Sequence, residues 1–167
     1  KKIGYHWFEL EEKLDLAELI INILRSKNLR FIKAIPFIIY RSEKNSKWLL
    51  EWNKLRKLSA KHKLEKETAL LIYLSQQIFR KEKWSGLVKE LEKYLEQNLT
   101  PKEKKTLTRN PNIYLKKLSF KISDFNAFLE ETYREFLTSF KLEKLEKQEY
   151  LQEEISKTKE LDLKFAL

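Results

Sequence analysis

The chain contains no cysteine and no methionine, and only two glycines and three prolines. Without cysteine there is no disulfide, no thiolate-held zinc or iron–sulfur cluster and no thiol nucleophile. That absence fits a reducing compartment, and the expected location is cytoplasmic. A translated chain begins with methionine, so this one is expected to be trimmed, processed or part of something longer. So few glycines and prolines leave little to build the frequent turns of an all-β fold. They also leave no Gly-rich loop of the kind that cradles phosphates. Long hydrophobic runs are missing too. The longest, Ala34–Tyr40 and Ala69–Leu74, fall far short of the roughly 20 residues of a membrane span, so no membrane partner is expected. The opening Lys1-Lys2-Ile3-Gly4 lacks the apolar stretch of a secretory signal.

What remains is apolar enough to fold. Hydrophobic residues make up 42% of the 167 positions, with 10 Phe, 7 Tyr and 4 Trp to pack a core. Leu, Lys and Glu dominate, and all three favour helices. The expected fold is all-α, an irregular multi-helix bundle of about seven to nine helices with a long charged C-terminal helix. The Lys/Glu-rich, cysteine-free balance resembles that of thermophile proteins and equally suits an AT-rich genome.

Along the chain, Tyr5-His6-Trp7-Phe8 opens the sequence. Asp15 is placed to cap a helix over Leu16–Lys27, with Leu16, Leu19, Ile20, Ile23 and Leu24 at helical spacing. Asn28 starts a segment over Leu29–Arg41 that Pro36 should kink or break, and the β-branched run Phe37–Tyr40 is the one place where a short strand competes. Ser46 suggests a helix over Lys47–Lys61. Further helices are expected over Glu65–Lys81 and, capped by Ser85, over Gly86–Glu96. Thr100-Pro101-Lys102-Glu103 is a capping box with proline at the first helical position. Asn110-Pro111 marks a turn before a short helix over Asn112–Leu118. Ser123 suggests the cap of a helix over Asp124–Phe140, striped by Phe125, Phe128, Leu129, Thr132, Phe136 and Phe140. Beyond it, Leu142–Lys159 is charged and helical, its apolar residues too sparse for a heptad. The expected division is a basic helical core over 1–122 and a long helix with an acidic extension over 123–167, or one domain over 1–167.

Charge is the most uneven property. Net charge is +10, yet residues 25–66 alone carry 13 basic against 3 acidic residues and 101–122 carry 7 against 1. Residues 1–24 (3 against 5) and 123–167 (7 against 11) are net acidic. Concentrated positive charge attracts polyanions, above all nucleic-acid phosphates. At about 100° per residue, Lys47, Lys54, Lys57 and Lys61 share one quarter of a helix whose other face carries Trp48, Trp52, Leu55 and Ser59. The second block offers Lys102, Lys104, Lys105, Arg109, Lys116 and Lys117. These ten are the candidate phosphate contacts, to DNA or RNA. Set against this, exposed lysine faces are commonly just solvated, and the two blocks gain meaning only if folding brings them together. A helix-turn-helix over Asn98–Leu118 would want a glycine in its turn, and there is none. Trp84 and Tyr114 lie beside basic residues and could stack unpaired bases, but core packing is the simpler role for both.

No catalytic, cofactor or metal motif is expected. His6 and His62 are far apart and in no ligand spacing. Acid pairs such as Glu11/Glu12, Glu130/Glu131 and Glu153/Glu154 diverge on a helix, while Glu131 and Glu135 share a face where ordinary ion pairs are the default. The function expected is a helical module binding nucleic acid through a basic surface. The alternative is a protein-interaction or scaffolding domain, with partner or self-association through the C-terminal helical region.

Overall fold

A computed structural model describes residues 14–44 and 48–165; Tyr5, His6, Trp7, Phe8, Glu11, Glu12, Ser46, Lys47 and the side chain of Trp48 lie outside what it describes. The helices are α1 (Leu16–Ser26), α2 (Leu29–Ile32), α3 (Ile35–Lys44), α4 (Trp52–Lys61), α5 (Glu65–Lys81), α6 (Ser85–Asn98), α7 (Pro101–Arg109), α8 (Pro111–Leu115) and α9 (Phe125–Phe165). Two-residue segments β1 (Leu14–Asp15) and β2 (Trp48–Leu49) form a short parallel bridge just ahead of α1 and α4. The architecture is the expected all-α bundle with a long C-terminal helix.

Local chemistry accounts for most boundaries. The Asp15 carboxylate accepts the Glu18 amide at 3.2 Å and starts α1. The Asn28 side chain accepts the Arg30 amide and starts α2. Pro36 breaks the chain rather than kinking it: α2 stops at Ile32, and Pro36 falls in the first turn of α3, where its missing amide costs nothing. The run Phe37–Tyr40 is helical, because Ile35, Ile39 and Tyr40 then bury together. The Thr100 capping box is formed in both directions, Glu103 amide to Thr100 Oγ1 and Thr100 amide to Glu103 Oε2.

Three expectations need correction. The helix expected from Lys47 begins only at Trp52, because Trp48–Leu49 pairs with β1 instead. Ser85 does not cap α6; it is the first helical residue, and no side chain caps that end. Asp124, not Ser123, caps α9: its carboxylate accepts the Ala127 amide, while Asn112 accepts the Phe125 amide and donates to Asp124. From there α9 runs unbroken through Phe140 to Phe165, about 60 Å at 1.5 Å per residue.

The Ala69–Leu74 run becomes the middle of α5, which is buried on every side as an all-round apolar helix must be. Helices α3, α4, α6, α7 and α9 pack around it. Its hydroxyls do not go unsatisfied: Thr68 and Ser75 donate to the carbonyls four residues back. A cluster of rings, with Tyr40 stacked on Trp84 at 4.9 Å and both meeting Phe136 and Phe140, pins the first half of α9 against α3 and α5. Beyond Glu143 every described side chain of α9 is exposed. No helix among the described residues is long and apolar enough to cross a membrane.

With so few glycines, the turns that close α1, α4 and α5 place lysines in the left-handed region: Lys27, Lys63 and Lys83, with φ of 55°, 56° and 61°. A side chain there costs about 1–2 kcal/mol relative to an ordinary backbone.

Candidate nucleic-acid interface

Folding sorts the cations into two groups. The first is neutralised from within. Lys54 reaches Asp15 and Glu18 (3.3 Å). Lys104 reaches Glu92 and Glu96 (3.2 Å). Lys33 lies 2.8 Å from Glu131 and 3.7 Å from Glu135, the ordinary ion pairing expected of those two acids. Arg41 holds Glu143, which also meets Lys147 at 3.1 Å. Asp15, Glu18, Glu131, Glu135 and Glu143, from the two net-acidic stretches, thus pair with cations of the first basic block. Hydrogen bonds donated to Glu131, Asp15 and Glu92 respectively raise Lys33, Lys54 and Lys104 above their ordinary values, against the smaller opposing effect of burial. Burial alone would raise Asp15 and Glu92. The lysine partners, helped by the Glu18 amide and by Gln76, outweigh it and hold both below the usual range.

The second group is exposed and has no ion-pair partner among the described residues. It includes Lys57 and Lys61 on α4, Lys102, Lys105 and Arg109 on α7, and Lys116 and Lys117 after α8. Of the ten candidates, then, Lys54 and Lys104 are already engaged, Lys47 is outside the described residues, and seven remain available. On α7, Lys102, Lys105 and Arg109 share an arc of about 60° opposite buried Leu107.

Residues of the two basic blocks line a common groove. An open groove of about 570 Å³ is lined by Lys63 and Lys66 from the α4–α5 corner, Lys117 from the segment after α8, and Glu103 of α7. Its position follows from two hydrogen bonds. The Tyr114 hydroxyl donates to the Lys66 carbonyl at 3.2 Å, and the Ser119 amide donates to Glu67 Oε1 at 2.8 Å. These bonds dock the α8 segment on the first turn of α5. Glu65, Glu67 and Glu103 also line the groove, so inside it the formal charges balance. Glu67 is buried and Glu103 is committed to its capping box, whereas Lys63, Lys66 and Lys117 are all exposed.

The same end collects further cations. Helices α1 and α4 start side by side, joined by the parallel bridge and by Lys54 on Asp15 and Glu18, and they stay packed together. Two helices that start together and stay in contact run in the same sense. Their C-terminal ends therefore fall together, bringing Arg25, Lys27 and Arg30 to the end occupied by Lys61 and Lys63. Cations there also suit the negative ends of the helix dipoles. Lys63, Lys66, Arg25, Lys27 and Arg30 were not singled out from the sequence, and nothing local marks them.

The aromatic candidates are not available. Tyr114 is 1% exposed, and Trp84 is packed in the ring cluster. Core packing is the role of both. Helix α8 has five residues, with Tyr114 and Leu115 buried, so it presents no recognition helix. His62 ends α4, and among the described residues no group of three or more His, Asp or Glu is placed to hold a metal. Compared with known protein families, curated proteins and solved structures, the chain matches none.

Proposed function

We propose that this protein is a nucleic-acid-binding module that holds phosphates at the shared end of α1, α4 and α5. The observation that carries the reading is the groove where Lys63 and Lys66 of the first basic block face Lys117 of the second, with Arg25, Lys27, Lys57 and Lys61, all exposed and without an ion pair among the described residues, in the surrounding elements. Phosphate binding by lysine releases condensed counterions, so affinity falls steeply with salt and depends little on base sequence. The expected behaviour is binding to short oligonucleotides at low ionic strength that fades near physiological salt. The triple substitution K63Q/K66Q/K117Q should flatten the slope of log K against log salt by about 2–3, since each lost phosphate contact removes about 0.7–0.9. Fluorescence anisotropy across a salt series measures this. A wild-type chain that binds no oligonucleotide at low salt sinks the reading.

A second reading rests on α9. Past Glu143 the helix leaves the core and exposes Leu145, Tyr150, Leu151 and Ile155, each more than half exposed. Isolated helices are marginal in water, which favours a protein partner or a second copy along this stretch. Their side chains point to several sides of the helix, so this reading ranks below the first. Light scattering of the purified chain tests self-association.

A further inference from the structure

Two aromatic rings stand well exposed among the described residues, Phe31 at 54% and Tyr150 at 62%. Their surroundings differ. Tyr150 lies among Glu149, Glu153 and Glu154 and donates its hydroxyl to Glu154 at 2.9 Å. Phe31 lies on α2, one residue after Arg30, four after Lys27 and six after Arg25. All three cations are exposed and without an ion pair among the described residues. The backbone holds this corner in place. Asn28 caps α2, the Phe31 amide donates to the Asn28 carbonyl at 3.1 Å, and the Ile32 side chain beside it is fully buried. The ring is therefore presented from an anchored turn, at the end of the bundle to which the parallel run of α1 and α4 also brings Lys61 and Lys63.

An exposed ring flanked by cations is what a single strand needs: a face for a base to stack on, and charge for the phosphates on either side. We infer that the α1–α2 corner is a stacking platform for an unpaired nucleobase, with Phe31 carrying the base and Arg25, Lys27 and Arg30 the neighbouring phosphates. This rests on the nucleic-acid reading and adds to it a preference for single strands, because a duplex keeps its bases stacked inside.

The test compares one oligonucleotide sequence as single-stranded DNA, single-stranded RNA and duplex DNA by anisotropy at low salt. Single strands should bind more tightly than the duplex. Phe31→Ala and Phe31→Leu should each weaken single-strand binding by about five- to a hundredfold, the range for losing one stacked base, and leave duplex binding unchanged. Phe31→Trp should retain it. Phe31 faces solvent, so these variants should fold, and circular dichroism checks that they do. Equal binding of all forms with no effect of Phe31→Ala overturns the platform and leaves phosphate binding standing. An unchanged Phe31→Leu overturns stacking in favour of plain apolar contact. No binding of any form removes both.

Discussion

Lys104 and Lys105 are neighbours on α7, yet their circumstances are opposite. Lys104 turns toward α6 and is held by Glu92 and Glu96; Lys105 faces solvent with no ion-pair partner among the described residues. The same contrast separates the flanks of the bundle from the shared end of α1 and α4. On the flanks, Lys33, Arg41 and Lys54 tie α2–α3 to α9 and α4 to α1. At the end, Lys61, Lys63, Lys66 and Lys117 are exposed and have no ion-pair partner among the described residues. Net charge therefore overstates what is available to a partner, and the useful quantity is the charge left after the internal pairs are formed.

The sharpest way to break this contrast is Arg41→Ala. The Arg41 and Glu143 side chains are 19% and 11% exposed, and removing one partner of a buried pair costs about 3–5 kcal/mol. Lys147 remains near Glu143, so a loss near 3 kcal/mol is expected in urea denaturation, with binding unchanged. A loss below 1 kcal/mol would make the pair mere surface decoration.

Acid should act next, on the paired group. Asp15, Glu92 and Glu131 are held below their ordinary values of 3.8, 4.5 and 4.5. For a lowered carboxyl the stabilisation is complete above the ordinary value and is lost as pH falls through the folded one. These three carboxyls should thus keep their contribution down to about pH 4.5 and lose it below, and thermal melts between pH 3 and 7 follow this. The raised lysines contribute fully below 10.5 and lose their share only above it.

Smaller substitutions sharpen the comparison. Lys63→Gly relieves the left-handed backbone and should stabilise by up to about 1 kcal/mol, while weakening oligonucleotide binding. A gain in stability with a loss of affinity separates the two roles of one residue. Lys83 has the same backbone at a distance from the groove, so Lys83→Gly should stabilise similarly and leave binding intact. Lys104→Gln should cost up to about 1 kcal/mol without affecting binding. Lys105→Gln should leave stability alone. The smallest effect is expected at Glu90. Burial, then its hydrogen bond and repulsion with Glu43, push its carboxyl up, so its contribution is complete below pH 4.5 and declines as pH rises through the folded value. Glu90→Gln should gain a few tenths of a kcal/mol at neutral pH, read from the melting temperature.

Much of the bundle was legible beforehand, for local reasons. The span of α5 matches its expected bounds, because an apolar run flanked by acids at the start and bases at the end has no competing structure. The Thr100 box and the Asp15 and Asn28 caps need only neighbours three residues away or closer. The misplaced start of α4 shows the limit: helical periodicity continues back to Lys47, but residues 48 and 49 pair with a segment over thirty residues earlier. Local pattern carries no trace of such a pairing.

The amino-acid sequence alone determined the class of fold, most helix boundaries, the striped face of α9 and the total charge, since each depends on side chains close together in the chain. Tertiary structure decided which lysines are neutralised and which stay available, because ion pairs join residues up to 102 positions apart and a groove is the product of several elements meeting. It also buried Tyr114, packed Trp84 into the ring cluster and left Phe31 in water, a distinction between rings that only the packing of the helices can make.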